Sequence, residues 1–359
     1  MLAYRLFAWK KPARLVEIPI PEAGPGEVLI RVGGNGICQS DLHLMHDWEA
    51  APPHLDIKLP MTIGHEIGGW IESCGPGVTG LEKGQPCVVT IAGCGRCRFC
   101  AEGWNNYCAN FPPQPGMGLD GGLADYVVAP AGGIVPLDTL EPWQAAPLTD
   151  AGLSAMHAIG RVKDRLGPGR KVAVIGIGGL GHMAVMILKE ILPVEVIAVD
   201  REPAALELAR ELGADHLVTA GDEAAEQIRE AAGGKAVDAV LDFVGAGATI
   251  ALAAAVIGPL GKIVIIGRGT GSFALCDRAL PYGSEIITTF GGSRKELMEL
   301  IALAESGRLT PRLTPYPLSR VGSAFVRLAE GKLTGRAVII PDDRYAEILD
   351  AYATGEGNP

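Results

Sequence analysis

Val172-Ala173-Val174-Ile175-Gly176-Ile177-Gly178-Gly179-Leu180-Gly181 decides how this chain is read. Its first four residues are the apolar run of a buried strand. Gly176, Gly178 and Gly181 then fit G-x-G-x-x-G, with Gly179 and Leu180 completing a tight turn. His182 to Lys189 follows as an apolar helix, and the mostly apolar run Val194 to Val199 ends in Asp200, twenty-four residues after Gly176. Strand, glycine turn, helix, strand and acid are the parts of a dinucleotide site. Small residues let the backbone approach a pyrophosphate, the helix N-terminus offers free N–H groups and a positive dipole end, and the acid accepts hydrogen bonds from the ribose 2′-OH. A ligand-free glycine turn is the bland alternative; the strand before it and the acid after it weigh against that reading. Asp200 favours NAD over NADP because a carboxylate repels a 2′-phosphate, and the neighbouring Arg201 partly offsets the preference.

Around this stretch the texture is periodic. Apolar strands at 171–176, 194–200, 215–219, 237–242 and 262–267 alternate with helices near 180–192, 203–213, 222–233 and 247–257. Such alternation gives an α/β fold, a parallel sheet covered on both faces. Residues 1 to about 148 differ: they are rich in Gly and Pro, with short strand-like runs at 27–32, 67–72 and 85–90, the pattern of a compact β domain. Helices at 295–306 and 319–331 and a closing strand at 336–340 are expected to pack back on that first domain. The polar tail from 341 to 359 is expected to hold a short helix near 343–353 and then fray.

With 359 residues the chain exceeds what one hydrophobic core usually spans, so two domains are expected. No apolar run reaches the ~18 residues of a transmembrane helix. The charges near the N-terminus follow a very short apolar run, the wrong order for a secretory leader, so a cytoplasmic protein is expected. A formal net charge of −10 argues against nucleic-acid or anionic-membrane partners.

The eight cysteines are unevenly spread, and four fall within the 15 residues from Cys94 to Cys108. Cys94, Cys97, Cys100 and Cys108 have the spacing C-x2-C-x2-C-x7-C, in which four thiolates can close a tetrahedron around one Zn²⁺ and staple a loop with little apolar core. Four cysteines also suit an iron–sulfur cluster, although nothing else suggests electron transfer. A site closed by four thiolates leaves no open position, so its role is structural. Cys38, His65 and Asp150 lie far apart in sequence, and spacing alone does not join them. Each has a dull reading as a small core residue, a cap or a structural hydrogen bond.

Five motifs together resemble the zinc-dependent medium-chain alcohol dehydrogenases from residue 1 to about 341. They are G-x-C-x-S-D-x-H at 36–43, Gly64-His65-Glu66, the cysteine lobe, Gly121-Gly122-Leu123-Ala124-Asp125-Tyr126, and the dinucleotide fingerprint. The resemblance is to bacterial NAD-dependent secondary alcohol dehydrogenases. It implies a GroES-like catalytic β domain over 1–148 with the zinc lobe at 94–108, a Rossmann dinucleotide domain over 149–292, a return to the catalytic domain over 293–341, and a tail at 342–359. Many members hold the catalytic zinc with two cysteines and one histidine; by this match Cys38 and His65 are ligands and Asp150 stands where the second cysteine would be. An Asp carries the charge of a thiolate but is a harder ligand. Two zinc ions per chain and NAD are thus implied. Glu66 resembles the acid that approaches the zinc from behind the ligands, and Asp41 the carboxylate that orients His65. Ser40 and His43 resemble a proton relay, and Ser154 and Leu180 resemble positions beside the nicotinamide. Gln39 stands where relatives often place a basic pyrophosphate contact, a departure that leaves that contact unsupplied.

The remaining candidates stay bland. His157 reads as a helical packing residue, and His182, just after the glycine turn, is given no role. His46, His54 and His216 read as solvated, and Cys74, Cys87 and Cys276 as ordinary small residues. The largely apolar segment Leu44 to Leu55, Trp48 included, reads as a cap over a hydrophobic substrate pocket, with 88–93, Phe111 and Leu119 as further lining. The implied reaction is reversible hydride transfer between a secondary alcohol and NAD. A polyol or formaldehyde-type dehydrogenase on the same scaffold is the alternative; a zinc-free quinone reductase or a non-catalytic dinucleotide-binding protein fits the motifs less well. Relatives with the cysteine lobe are often tetramers, so a homo-oligomer is expected, a tetramer or a dimer, built on edge strands near 285–290.

Overall fold

The strand that runs into the glycine turn, Lys171–Ile175, is central in its sheet. A computed structural model describes residues 1–52 and 55–354. His54, expected in solvent, and residues 355–359, expected to fray, lie outside the described residues. The chain divides into two compact units, one of Met1–Asp150 with the chain from Ser293 onward, the other Ala151–Gly292.

The second unit is built on a six-stranded sheet. In spatial order its strands are His216–Thr219, Glu195–Asp200, Lys171–Ile175, Val237–Asp242, Ile257–Ile265 and Glu285–Thr288, every neighbouring pair parallel. In chain order this is 3-2-1-4-5-6, the doubly wound arrangement whose order reverses beside the first strand. The helices between strands, Gly181–Ile191, Pro203–Glu211, Ala224–Ala231 and Gly247–Val256, explain why the strands are apolar on both faces. Val172, Ala173 and Val174 are wholly buried, as are Val196, Ile197 and Ala198 beside them. The fifth strand starts at Ile257, five residues earlier than the apolar run suggests. Val237 pairs with Ile257 while Ala239 pairs with Lys262, so the intervening residues bulge out, with Leu260 exposed and at φ 59°.

The first unit is organised on the long strand Glu27–Gly36. It pairs antiparallel with Glu66–Cys74, with Tyr126–Pro130 and with Arg336–Ile340. That last strand brings the end of the chain into the same sheet, Val338 opposite Gly36, and all five of its residues are buried. Leu313–Pro317 lies parallel beside it. The Tyr4 and Phe325 rings stack at 5.7 Å, locking the first strand to the helix Val321–Ala329. The final helix, Asp342–Thr354, belongs to this unit too: Tyr345 and Ile348 pack on Trp143, Val338 and Ile340.

Two details differ from the sequence reading. Asp150 lies in the first unit and not at the start of the dinucleotide domain, because its carboxylate is held among Cys38, His65 and Arg336 of that unit. The segment after Cys38, to which the sequence reading assigns no element, forms a helix, Gln39–His46, whose N-terminus is closed by the Asp41 carboxylate accepting from the Cys38 N–H at 2.9 Å. Leu44 and Met45 on this helix are core residues, packed with Ile37, Leu123 and Phe325, so they do not line a pocket. Trp48 is half-buried against the same core and tilts against Trp9 at 6.4 Å. No described helix is long and apolar enough to cross a membrane.

The helix Arg294–Glu305 starts with a reciprocal cap, Ser293 N–H to Glu296 at 2.7 Å and Glu296 N–H to Ser293 Oγ at 3.3 Å. At its other end the Glu305 carboxylate accepts the N–H groups of Asp138, Thr139 and Leu140 at 2.7, 3.0 and 3.4 Å. One charged acceptor thus satisfies three backbone donors 165 or more residues away in sequence. Glu305→Gln is expected to lower unfolding free energy by about 1–2 kcal/mol, read as a fall in the urea midpoint with unchanged slope.

Candidate active site

The four lobe sulfurs lie within 4.8 Å of one another. Four thiolates at ~2.3 Å from one zinc stand ~3.8 Å apart at the tetrahedral angle, and Cys97 Sγ lies 3.9 Å from Cys108 Sγ. A cluster of several irons would hold its cysteines further apart, so the spacing fits a single ion. All eight cysteines are free of disulfides. Backbone N–H donors already favour thiolate here: that of Arg96 draws Cys94 down to about 6, and that of Cys100 lowers Cys97. Burial instead pushes Cys108 up to about 11. Sulfurs this close cannot all ionise without a cation among them. The lobe is tied down by Asn105, whose amide donates to Ile91 O at 2.7 Å and accepts from Arg294 N at 3.0 Å.

A second donor set is assembled in the first unit from three distant places. Cys38 caps the helix Gln39–His46, His65 precedes the strand Glu66–Cys74, and Asp150 follows the short turn Ala146–Thr149. Asp150 Oδ2 lies 3.5 Å from Cys38 Sγ and 3.5 Å from His65 Nε2. Ligand atoms held at 2.0–2.3 Å from one tetrahedral ion are ~3.4–3.6 Å apart, so the three fit one zinc with a fourth position left open. The electrostatics agree. Burial pushes the His65 imidazole down, but Asp41, Asp150 and Cys38 overcome this and raise it well above the usual histidine range. Burial raises the Asp150 carboxyl, and His65 and Arg336 outweigh that and hold it well below the usual range. A thiol and a carboxylate gathered round an imidazole are a set that favours a cation.

Asp41 Oδ1 stands 3.2 Å from His65 Nδ1, leaving Nε2 to face Cys38 and Asp150. Ser40 Oγ is 3.3 Å from the same Nε2. His43 lies one turn further along the helix, half-buried, with Nδ1 paired to Asp47. Glu66, which the sequence reading places near the metal, is fully buried and bound bidentately by Arg336, at 2.9 Å from Nε to Oε2 and 2.6 Å from Nη2 to Oε1. Burial pushes Glu66 up to about 7 against the pull of Arg336. Arg336 Nη2 also lies 3.8 Å from Asp150 Oδ2. Sequence reasoning missed Arg336; the available signal was a cation opening an otherwise apolar strand, Arg336-Ala337-Val338-Ile339-Ile340.

In the second unit the glycine turn has the shape that a pyrophosphate needs. Gly176 sits at φ 87°, a Cβ on Gly181 would lie 1.8 Å from Gly176 O, and a Cβ on Gly178 would meet nothing within 4 Å. The first and third glycines are therefore demanded by the turn, and the second opens outward. Asp200 Oδ2 accepts the Ile177 N–H at 2.6 Å, fixing the acid against the turn, and Oδ1 accepts Glu202 N–H at 2.9 Å. Arg201 is exposed and 3.3 Å from Glu202. Ser154 is buried on the helix Ala151–Val162, as is His157. His182 is wholly buried, with Nδ1 2.9 Å from Gly178 O. His46 and Cys74 and Cys276 are exposed, His216 is paired with Glu195, and Cys87 is a buried thiol pushed up to about 12.

A doubly wound nucleotide unit joined to a β-rich unit that gathers two zinc-type donor sets defines a metal-dependent dehydrogenase. The family models agree: residues 24–139 match the alcohol dehydrogenase GroES-like domain and residues 179–306 the zinc-binding dehydrogenase. The chain belongs to the zinc-type medium-chain alcohol dehydrogenases. It is 36% identical to an alcohol dehydrogenase of Geobacillus stearothermophilus over 93% of this chain and 98% of that one. It is 34% identical to an NAD-dependent alcohol dehydrogenase of Sulfolobus acidocaldarius, over 94% and 99%. The crystal structure of the alcohol dehydrogenase from Aeropyrum pernix superposes with a TM-score of 0.88 at 35% identity, covering 95% of this chain and all of that one. The protein is thus an NAD(P)-dependent oxidoreductase acting on alcohols.

Arg336→Ala would take from the buried Glu66 charge its two-hydrogen-bond partner. Unfolding free energy is expected to fall by about 3–5 kcal/mol in a denaturant titration, and a loss below 1 kcal/mol would show that the pair does not hold the unit together.

Proposed function

We propose that the protein oxidises secondary alcohols to ketones with NAD⁺, reversibly, and holds two zinc ions per chain. Cys94, Cys97, Cys100 and Cys108 would hold the structural ion, and Cys38, His65 and Asp150 the catalytic one. The observation that carries the reading is the meeting of those last three, with one Asp150 oxygen 3.5 Å from both other ligand atoms. When bound, this zinc supplies Lewis acidity toward the alcohol oxygen, and the nicotinamide supplies the hydride acceptor.

The chain's own residues do the rest. Asp41 fixes the His65 ring so that Nε2 is the ligand atom, and Arg336 holds Glu66 and steadies Asp150. Ser40 stands beside the ligand set and takes the alcohol O–H proton, which His43 passes outward. The turn Gly176 to Gly181 would cradle the pyrophosphate, Asp200 would accept from the ribose hydroxyls, and Ser154 and Leu180 would contact the nicotinamide. An acetophenone reductase structure from Geotrichum candidum, similar at TM-score 0.81 and 27% identity, supports a ketone with a bulky substituent. A D-arabinose dehydrogenase structure from Sulfolobus solfataricus, at TM-score 0.81 and 30% identity, supports the second reading, a sugar or polyol substrate. The edge strand Glu285–Thr288 leaves one side unpaired among the described residues, with Ile286 and Phe290 exposed, which supports two-fold pairing into a dimer or tetramer.

Purified protein is expected to carry about two zinc per chain by mass spectrometry, and Asp150→Ala about one, with turnover lost. On a panel of 2-propanol, 1-phenylethanol, ethanol, sorbitol and D-arabinose, the secondary alcohols are expected to give the highest kcat/KM; preference for sorbitol or arabinose would establish the second reading. Asp200→Ser is expected to raise KM for NAD⁺ and to narrow the preference over NADP⁺ by about tenfold or more; an unchanged ratio would remove Asp200 from cofactor selection.

A further inference from the structure

Asp47 stands at the end of the helix Gln39–His46, and its Oδ2 is paired with His43 Nδ1 one turn back. As a stabilising feature this pair is poorly placed. A carboxylate at a helix C-terminus is opposed by the helix dipole, and an exposed pair gains little in water. The position is nevertheless firmly held. The Asp47 and Trp48 N–H groups both donate to His43 O, at 2.9 and 3.2 Å, and Trp48 packs on Trp9 and on the core.

The charges around the pair leave Asp47 to His43. Glu49, on the following turn, is taken by Lys10. The helix Val321–Ala329, packed on this one, turns Val321, Ala324 and Phe325 toward it and leaves Arg320 and Arg327 exposed. His46 points to solvent on the next turn. Among the described residues, Asp47 is the only hydrogen-bond or ion-pair partner of the His43 side chain.

We propose that Asp47 is a positioning residue for the proton relay, holding His43 in the tautomer that carries its proton on Nδ1 and keeps the Nε2 lone pair free to receive the substrate proton. This rests on the relay reading of Ser40 and His43. As the hydride leaves carbon for the nicotinamide, the alcohol O–H bond breaks. Its proton passes by way of Ser40 to His43 Nε2, and the resulting imidazolium is stabilised by the Asp47 carboxylate until a proton is given up to water. A carboxylate behind an imidazole plays this part wherever a histidine must present one chosen nitrogen.

The test is the single-turnover rate of NADH formation when holoenzyme preloaded with NAD⁺ is mixed with the best alcohol of the panel, compared for wild type, His43→Ala, Asp47→Asn and Asp47→Glu. Asp47→Asn is expected to slow this step about three- to tenfold, a fraction of what a complete acid–base group supplies. The solvent isotope effect should grow, KM for NAD⁺, zinc content and melting temperature should stay unchanged, and Asp47→Glu should recover most of the rate. An Asp47→Asn rate equal to wild type, with His43→Ala slow, would overturn the role of Asp47 and leave the relay intact. A His43→Ala rate equal to wild type would overturn the relay and this proposal with it.

Discussion

Arg336 and Glu66 are 270 residues apart in sequence and meet through two hydrogen bonds in the buried middle of the first unit. The rest of the site depends on that pair. Glu66 immediately follows His65, and Arg336 opens the strand that completes the sheet beside Asn35 and Gly36. The same guanidinium reaches toward Asp150. A fully buried carboxylate is costly without a partner, so the energetic demand of Glu66 fixes where the last strand lies. That strand in turn stands next to the end of Glu27–Gly36, from which the chain passes to Cys38. Two of the three candidate ligands therefore inherit their positions from one ion pair, and the third is close enough to feel its charge.

The two units were legible in sequence to different degrees, for physical reasons. In the nucleotide unit every element is local: a strand buried on both faces needs a continuous apolar run, and the turn needs glycines at fixed offsets. Lys171–Ile175, Gly181–Ile191 and Glu195–Asp200 fall within a residue or two of where periodicity puts them. The bulge at Leu260 was not legible, because it depends on how two strands pair and not on either strand alone. In the first unit, the helix Gln39–His46 lacks a clean apolar period; its start is closed by Asp41, whose other oxygen serves His65. One side chain there does both local capping and tertiary orientation, which no window of sequence separates.

The donor sets divide in the same way. Four cysteines within a short lobe announce themselves, since a loop of that length brings its own sulfurs together. Cys38, His65 and Asp150 could be joined only through resemblance to a family, and the fold is what brings them within reach. Arg336 and Asp47 were not singled out at all. Arg336 looks like one charge in a strand, and Asp47 like one acid in a largely apolar segment; their meaning lies in what they face.

Chain order adds a consequence for biosynthesis. The nucleotide unit is one continuous stretch, Ala151–Gly292, whereas the first unit is closed by a strand that begins at Arg336. A chain emerging from the ribosome can therefore complete its inner unit while the outer one still lacks an edge of its sheet and the guanidinium that grips Glu66 with two hydrogen bonds. The outer unit's donors, Cys38, His65 and Asp150, are all synthesised by then, yet the carboxylate beside them waits for its two-hydrogen-bond partner until Arg336 has followed. The unit begun before the nucleotide unit is the one completed after it.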